Sequence, residues 1–312
     1  MRSRVFVLGF ALMVWTASAQ DHGVRVRLTP RPRPAGAKAS LRVDVGLTLI
    51  PVTVTNALGA PYGGLNQNDF RLFEDGLEQQ LKYFTFEDAP VSLGVVFDAS
   101  SSMTGKLEQS QAAVGRFLRT AVTGDEFFLV EFNNAPRLLS GFTSDTAYLE
   151  KTLSSIQPKN WTALFDAVYV AVQQVKRGKN ARHALLILSD GGDNYSRYTE
   201  SEMKGLVREA DVCIYSIGLV GGGLLRRHIK VLQKLSAETG GHYYEAEKTD
   251  DLPEAVSRIS EAIRNQYVLG YVSRNPNNNG LYRRIEVKLT SQADRPRLRV
   301  SWRAGYYAST HN

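Results

Sequence analysis

The chain has 312 residues, of which 43% are hydrophobic and 22% charged, and its formal net charge is +7. Its single cysteine excludes an internal disulfide, so packing must stabilise the fold, and the length is enough for one large domain and a smaller one. The basic excess is mild and clusters near the two ends of the chain, so it does not indicate binding to nucleic acid.

The first residues predict an export signal. Two arginines give a positive start, residues 5–15 form an apolar core, and residues 17–19 form a small-residue cleavage site. The core is shorter than the roughly 20 residues that cross a bilayer, and we expect no transmembrane anchor elsewhere. We therefore predict a signal peptide over residues 1–19 and a secreted or periplasmic protein. Residues 20–40, rich in Pro, Arg and Ala, predict a flexible leader.

Short β segments are predicted on both sides of a central region. Residues 41–90 contain strand patterns at 70–73 and 81–84, separated by an Asp-Gly turn. Strand patterns return in residues 267–307. Neither segment has enough strands to hide its apolar face alone. We expect the two segments to pair into one small β-sandwich.

Between these segments, in residues 91–266, strand and helix patterns alternate. Amphipathic helical patterns separate four apolar runs that predict buried strands, at Leu93–Phe97, Phe127–Phe132, Ala184–Leu188 and Val212–Ile217. Such alternation is typical of a mostly parallel sheet covered by helices on both faces. The predicted fold class is therefore α/β, a Rossmann-like doubly wound sheet bracketed by the small β-sandwich.

The most informative stretch is Asp98-Ala99-Ser100-Ser101-Ser102, which follows the first apolar run. Ligands of open α/β sheets bind at the carboxyl ends of the strands. A carboxylate and alternate serines at such an end can present several oxygen ligands to a small cation. The same residues could instead cap the next helix. Taken alone, the motif leaves both interpretations open.

Two further positions complete a pattern with this motif. Thr162 opens a predicted helix after a loop, and Asp190 ends the apolar run of residues 184–189. With these residues the chain resembles the von Willebrand factor type A family over residues 91–266. That family has a metal-ion-dependent adhesion site (MIDAS) made from an Asp-x-Ser-x-Ser motif, a threonine and a later aspartate. The resemblance implies metal ligands at Asp98, Ser100, Ser102, Thr162 and Asp190.

The resemblance also implies a function. Three neutral hydroxyls and two aspartates, bound directly or through water, suit Mg²⁺, although Mn²⁺ or Ca²⁺ could substitute. In the family, a Glu or Asp of a protein partner completes the metal shell. We therefore expect an exported, adhesion-type protein-binding module rather than an enzyme. Its oligomeric state is open.

The flanks and one loop refine the resemblance. Residues 51–55, 70–76 and 267–271 look like VWFA-related proteins described mainly from acidobacteria. The family often has glycines before the threonine, where this chain has Asn160 and Trp161. Trp161 either contributes to a partner-binding surface or packs into the core. Asp193 is a turn residue or a partner contact.

Two other function classes compete with this interpretation. A metal-dependent hydrolase could use two carboxylates and a cation to activate water. However, no histidine stands near the motifs, and the scattered histidines form no His-Glu-x-x-His pattern: His22, His183, His228, His242 and His311. A structural scaffold that does not use the metal is the third class. The loss of a ligand residue would favour it, and all five ligand positions are filled.

Overall fold

The computed structural model describes most of the chain after the predicted leader, namely residues 46–57, 59–86, 88–190, 192–219, 226–277, 279–290 and 297–309. The predicted signal peptide, the predicted leader and residues 41–45 lie outside the described residues. Within the described ranges, no helix combines the length and the apolar character needed to cross a membrane.

The described residues form fourteen strands and six α-helices. The strands are β1 (Leu47–Thr55), β2 (Phe70–Glu74), β3 (Leu77–Gln79), β4 (Leu81–Phe86), β5 (Val91–Asp98), β6 (Glu126–Phe132), β7 (Pro136–Thr143), β8 (Arg182–Ser189), β9 (Cys213–Leu219), β10 (Tyr243–Ala246), β11 (Tyr267–Val272), β12 (Tyr282–Leu289), β13 (Arg299–Trp302) and β14 (Gly305–Tyr307). The helices are α1 (Leu107–Leu118), α2 (Thr146–Ser154), α3 (Leu164–Val175), α4 (Glu200–Glu209), α5 (Arg226–Thr239) and α6 (Leu252–Arg264).

A six-stranded sheet forms the centre of the α/β unit, in the order β10-β9-β8-β5-β6-β7. Five strands are parallel, and β7 runs antiparallel at one edge. The central strand β5 is buried throughout its length. Because successive side chains of a strand point to opposite faces, Val95 and Phe97 enter one core and Val96 enters the other. The predicted doubly wound α/β fold class is confirmed.

Helices cover both faces of this sheet, and each presents an apolar stripe to it. One core contains apolar side chains from α1, α2 and α6, among them Phe117, Leu149 and Ile259. The other core contains side chains from α3 and α4, such as Val168 and Met203, together with buried residues of α5. Packing on both faces explains why the parallel strands are continuous apolar runs.

Five elements were not predicted from the sequence: β3, β7, α2, β10 and β14. The edge strand β7 has mostly half-buried or exposed residues, so it lacks the apolar run of a central strand. In β10 only the last of four residues is buried. The strands among these elements are short or peripheral and are held by pairing with a neighbour, which hydrophobic periodicity does not detect. The helix α2 buries only Leu149 and Leu153, which is too few apolar positions for a clear helical pattern.

Strands from the two ends of the chain pair into two further antiparallel sheets, ordered β13-β1-β11-β4 and β14-β12-β2-β3. In the first sheet Ile50 of β1 lies opposite Leu269 of β11, and in the second Leu72 of β2 lies opposite Val287 of β12. These four side chains are buried in one shared core. The sheets therefore form the β-sandwich expected beside the α/β unit.

Inside this sandwich, a buried ion pair links the β segment that precedes the α/β unit to the one that follows it. Glu74 of β2 and Arg283 of β12 are only 2% and 3% exposed, and their Oε1 and Nη1 atoms are 3.1 Å apart. The Glu74 carboxylate also accepts hydrogen bonds from Ser273, Tyr271 and Tyr306. Burial opposes the charged form, but these hydrogen bonds and Arg283 hold the pKa of Glu74 below its ordinary value.

We expect Glu74→Ala to lower the free energy of unfolding by about 3–5 kcal/mol, because it leaves the Arg283 charge buried without its partner. Glu78→Ala is the matched control on the neighbouring strand: its pair with Arg71 is exposed, so the loss should be much smaller than for Glu74→Ala. Urea denaturation measures both variants. Equal losses would contradict the assigned role of the buried pair.

The same comparison has a predicted pH dependence. The folded-state pKa of Glu74 lies below the unfolded value, so its stabilisation is present above the unfolded pKa and is lost as pH falls through the folded pKa. The stability gap between wild type and Glu74→Ala should therefore narrow in acid, below about pH 4.

Candidate metal centre

The candidate centre lies at the carboxyl edge of the six-stranded sheet, where the strand order reverses. From β5 the chain continues to β6 on one side, whereas β8 lies on the other side. Asp98 is the last residue of β5, and Asp190 directly follows Ser189, the last residue of β8. The two strands are parallel with Phe97 opposite Leu188, so their ends, and both aspartates, reach the same edge. Such a reversal is where ligands bind in open α/β sheets.

Asp98 is fully buried and both of its carboxylate oxygens are used. Oδ1 accepts the backbone N–H of Ser100 at 2.9 Å, and Oδ2 accepts the hydroxyl of Ser189 at 2.5 Å. The motif does not cap α1, because that helix begins only at Leu107, after a short 3₁₀ turn at Ser101–Met103. The hydroxyl oxygens of Ser100 and Ser102 lie 3.0 Å apart, just after the end of β5.

The loop that carries Thr162 is bonded directly to the serine loop. Lys159 donates its backbone N–H to the carbonyl of Ala99 at 2.8 Å, and Ser101 donates to the carbonyl of Asn160 at 3.1 Å. Asn160 has a φ of 56°, in the left-handed region that favours glycine and that asparagine tolerates. Asn160 thus adopts a glycine-like conformation where the family often has glycine.

A third loop closes the arrangement from the β8 side. The Thr162 backbone N–H donates to the Asn194 side chain at 2.9 Å, and the Asn194 backbone N–H donates to the Thr162 carbonyl at 3.0 Å. Hydrogen bonds therefore connect the three loops that carry the five predicted ligands. Of these ligands only Ser102 is exposed.

This edge of the sheet is short of positive charge. Burial, and then the nearby Asp190 charge, raises the pKa of Asp98 to about 6. Asp190 is itself 3% exposed, and its Oδ2 is buried without a hydrogen-bond partner among the described residues. The nearest ammonium, that of Lys106, is 3.8 Å from this oxygen, beyond hydrogen-bonding distance. Buried carboxylates need a partner or a bound cation, so the donor set fits a divalent ion.

The donors at this edge are of the hard, oxygen-only type. Nowhere in the described ranges do three or more His, Cys, Asp or Glu side chains gather as a metal-binding group. A cation here would depend on hydroxyl oxygens in addition to the two carboxylates. Such a set suits Mg²⁺, Mn²⁺ or Ca²⁺ better than metals that prefer nitrogen or sulfur.

Trp161 lies on the surface beside Thr162 and not in the core. Its side chain is 56% exposed, and its ring is nearly parallel to that of Tyr195, which is 53% exposed, at a centroid distance of 6.4 Å. Asp193 holds the loop instead, because its carboxylate accepts the backbone N–H of Phe165 and the hydroxyl of Ser196. A partner contact by Asp193 stays a prediction.

Three residues that shape this centre were not identified from the sequence: Lys106, Ser189 and Asn194. Ser189 orients Asp98, Asn194 fixes Thr162, and Lys106 approaches Asp190. The position of Ser189 at a strand end, one residue before Asp190, is the only signal in the sequence that could have indicated its role.

Comparison with known families agrees with this geometry. Residues 93–192 match the family model of the von Willebrand factor type A domain. The chain contains a von Willebrand factor type A (VWA) domain. The matched range includes all five predicted ligand positions. No curated protein sequence matches the chain significantly.

Solved structures with the VWA fold resemble the chain at low identity. A von Willebrand factor type A structure from Catenulispora acidiphila is 11% identical, covers 78% of this chain and 74% of its own, and has a TM-score of 0.51. Proximal thread matrix protein 1 from the mussel byssus, solved with a zinc-occupied MIDAS motif, is 18% identical and has a TM-score of 0.50. That alignment covers 61% of this chain and 49% of the mussel protein. These likenesses show the fold alone.

In the presence of a chelator, we expect Asp98→Asn to raise the free energy of unfolding at pH 7 by up to about 3 kcal/mol, because the raised pKa means that the buried charge destabilises the fold. The folded pKa of about 6 lies above the unfolded value, so the stability lost to this charge is regained as pH falls to about 4. The advantage of the variant should disappear there.

Asp193→Asn is the matched control in the same VWA domain. Its carboxylate accepts hydrogen bonds from Phe165 and Ser196, so removing this charge should give no gain in stability. Urea denaturation at pH 7 and pH 4 measures both variants. A wild-type protein more stable than Asp98→Asn at pH 7 would contradict the assigned charge imbalance.

Proposed function

We propose that the VWA domain is a metal-dependent protein-binding module that docks an acidic residue of its partner. The observation that carries this proposal is the buried Asp190 Oδ2 without a hydrogen-bond partner in the described structure, beside the buried Asp98 carboxylate. The two aspartates repel each other across a strand end, and a cation between them would remove this cost.

The residues at this site would have different roles in holding a metal ion. Ser100, Ser102 and Thr162 would hold a Mg²⁺ ion with neutral hydroxyls, and Asp98 and Asp190 would supply the negative charge directly or through water. With few anionic ligands, a bound Mg²⁺ keeps an electrophilic position that a partner carboxylate can fill. Ser189 orients Asp98, and Asn194 keeps the Thr162 loop in place.

The surface around the site suits an acidic partner. Lys159 is exposed on the Thr162 loop, and the Arg197 side chain is 86% exposed although its guanidinium pairs with Asp166 at 3.3 Å. Positive side chains near a docking position speed encounter with acidic partners. Trp161 and Tyr195 add exposed aromatic area, which is typical of the residues that dominate protein interfaces.

Hydrolysis is supported less well than binding. His183 lies at the start of β8, the opposite end of the strand from Asp190, so it is not placed to act as a base at this site. The Asp98 carboxylate accepts hydrogen bonds from Ser100 and Ser189, and the Ser100 and Ser102 hydroxyls are within hydrogen-bonding distance of each other. A structural scaffold that does not use the metal would show no change in melting temperature when metal is added.

We also propose that the chain is exported after removal of residues 1–19, with a leader over 20–40. The domain limits then follow the sequence pattern, with the VWA domain at 91–266 between β segments at 41–90 and 267–307. The pairing of β1 with β11 and of β2 with β12 supports treating the two segments as one sandwich. N-terminal sequencing of the secreted protein tests the cleavage site.

Mg²⁺ or Mn²⁺ should raise the melting temperature of the wild-type protein, because a ligand at 100 times its Kd adds about 2.7 kcal/mol to the free energy of unfolding. Ser102→Ala should lose most of this response. Thr104→Ala is the matched control, since it removes another exposed hydroxyl of the same loop that bonds only the Ser101 carbonyl. An unchanged melting temperature across millimolar metal would overturn the proposal.

The partner chemistry is tested with a random peptide display library panned on the immobilised protein in MgCl₂ and eluted with chelator. Eluted peptides should be enriched in Glu and Asp compared with peptides from Asp98→Asn protein. Trp161→Ala should weaken the selected peptides without changing the Mg²⁺ response of the melting temperature. Equal recovery from wild type and Asp98→Asn would contradict metal-dependent docking.

A further inference from the structure

A separate cavity lies between the β-sandwich and the amino-terminal edge of the six-stranded sheet, at the opposite ends of the strands from the candidate metal centre. Its volume is about 220 Å³. Sheet β13-β1-β11-β4 contributes apolar lining through Leu49, Pro51, Tyr83 and Val268, and the start of β8 contributes Arg182 and His183. The cavity is smaller than the roughly 300–1,000 Å³ of pockets that hold drug-sized ligands, so it suits a small molecule.

Arg182 places a positive charge against this apolar lining. Its guanidinium donates to the carbonyl of Ala89 and to the side chain of Gln266, each at 2.8 Å, and to the carbonyl of Ile263 at the end of α6. No carboxylate in the described ranges lies within 4 Å of the guanidinium. Burial lowers the pKa of Arg182 below its ordinary value. The acceptors are neutral, so the charge has no anionic partner of its own among the described residues.

The other cation of the cavity differs in this respect. Arg303 also lines the cavity, but its guanidinium lies 2.8 Å from the carboxylate of Asp211. His183 is the next residue of β8, but its side chain points to the opposite face of the strand from Arg182 and its Nε2 is buried, so it adds no donor beside the guanidinium. Arg182 therefore offers hydrogen-bond donors that the described protein groups do not fully use.

The apolar side of the cavity continues towards solvent. Leu49 and Tyr83 line it and remain 43% and 44% exposed. An apolar chain held by its polar end inside the cavity would cover these two side chains, removing apolar area from water. A cavity with one unpaired cation and mostly apolar walls matches a ligand with one negative group and an apolar tail.

We propose that this cavity binds a small amphipathic monocarboxylate, with its carboxylate on Arg182 and its apolar tail along Leu49 and Tyr83. A carboxylate matches the fork geometry of a guanidinium and forms charge-assisted hydrogen bonds with it. The site is distinct from the VWA metal centre, because Arg182 begins the strand that Ser189 ends. Its ligand would need no metal.

Calorimetric titration with sodium octanoate tests the proposal, using octan-1-ol and octylamine as ligands of the same chain length. We expect saturable binding of octanoate that is at least about tenfold tighter than binding of either analogue, because only octanoate pairs with the buried cation. This comparison uses the wild-type protein, so it does not depend on the folding of a variant. Absence of saturable octanoate binding, or equal binding of the three ligands, would overturn the proposal.

Two variants and one chemical readout locate the bound ligand. Arg182→Gln should weaken the binding of octanoate at least about tenfold. Arg303→Gln is the matched control, because Arg303 has its own carboxylate partner, and it should change octanoate binding less than about twofold.

Cys213, the single cysteine of the chain, lines the same cavity, and burial raises the pKa of its thiol to about 11. Octanoate should slow its reaction with methyl methanethiosulfonate. Unchanged labelling at saturating octanoate would place the ligand elsewhere and overturn the proposal.

Discussion

The candidate site depends on one electrostatic constraint: two carboxylates are buried at the ends of adjacent parallel strands, where their negative charges repel each other. Asp98 and Asp190 sit in a low-dielectric environment where each charge disfavours the other, and the Lys106 ammonium is too distant to bond Asp190 Oδ2. A fold that keeps such a pair has an unbalanced charge at one edge. Ser189 stabilises one carboxylate by donating its hydroxyl, but it adds no positive charge. We propose that a divalent cation at this edge balances this negative charge.

The architecture explains why this charge can be tolerated. The central strand β5 lies between two apolar cores, and the helices that pack on both faces hold its end in a fixed position. The loops with Ser100, Thr162 and Asn194 are tied to one another by backbone hydrogen bonds, so the oxygen donors are arranged before any ligand arrives. Stability comes from the cores and from the sandwich, so the carboxyl edge of the sheet is free to carry a locally costly arrangement.

The sequence predicted the parts of this structure that depend on local pattern. Continuous apolar runs identified the central strands because parallel strands are buried on both faces, and the spacing of Asp98, Ser100 and Ser102 marked the strand end. The edge strand β7 was not predicted, because it has no apolar run and is held mainly by pairing with β6. The roles of Ser189 and Asn194 also escaped, because they arise from loops that are distant in sequence and meet only in the fold. Arg182 likewise gains its significance only from the cavity that two separate sheets enclose.

We propose that a divalent cation occupies the carboxyl edge of the VWA sheet. The most direct measurement is a crystal structure of the protein grown with MnCl₂, with anomalous diffraction recorded to locate manganese. We expect one strong anomalous peak surrounded by oxygens of Asp98, Ser100, Ser102, Thr162 and Asp190, directly or through water. Absence of an anomalous peak at this edge, with the Lys106 ammonium moved onto the Asp190 carboxylate, would contradict the proposed cation site.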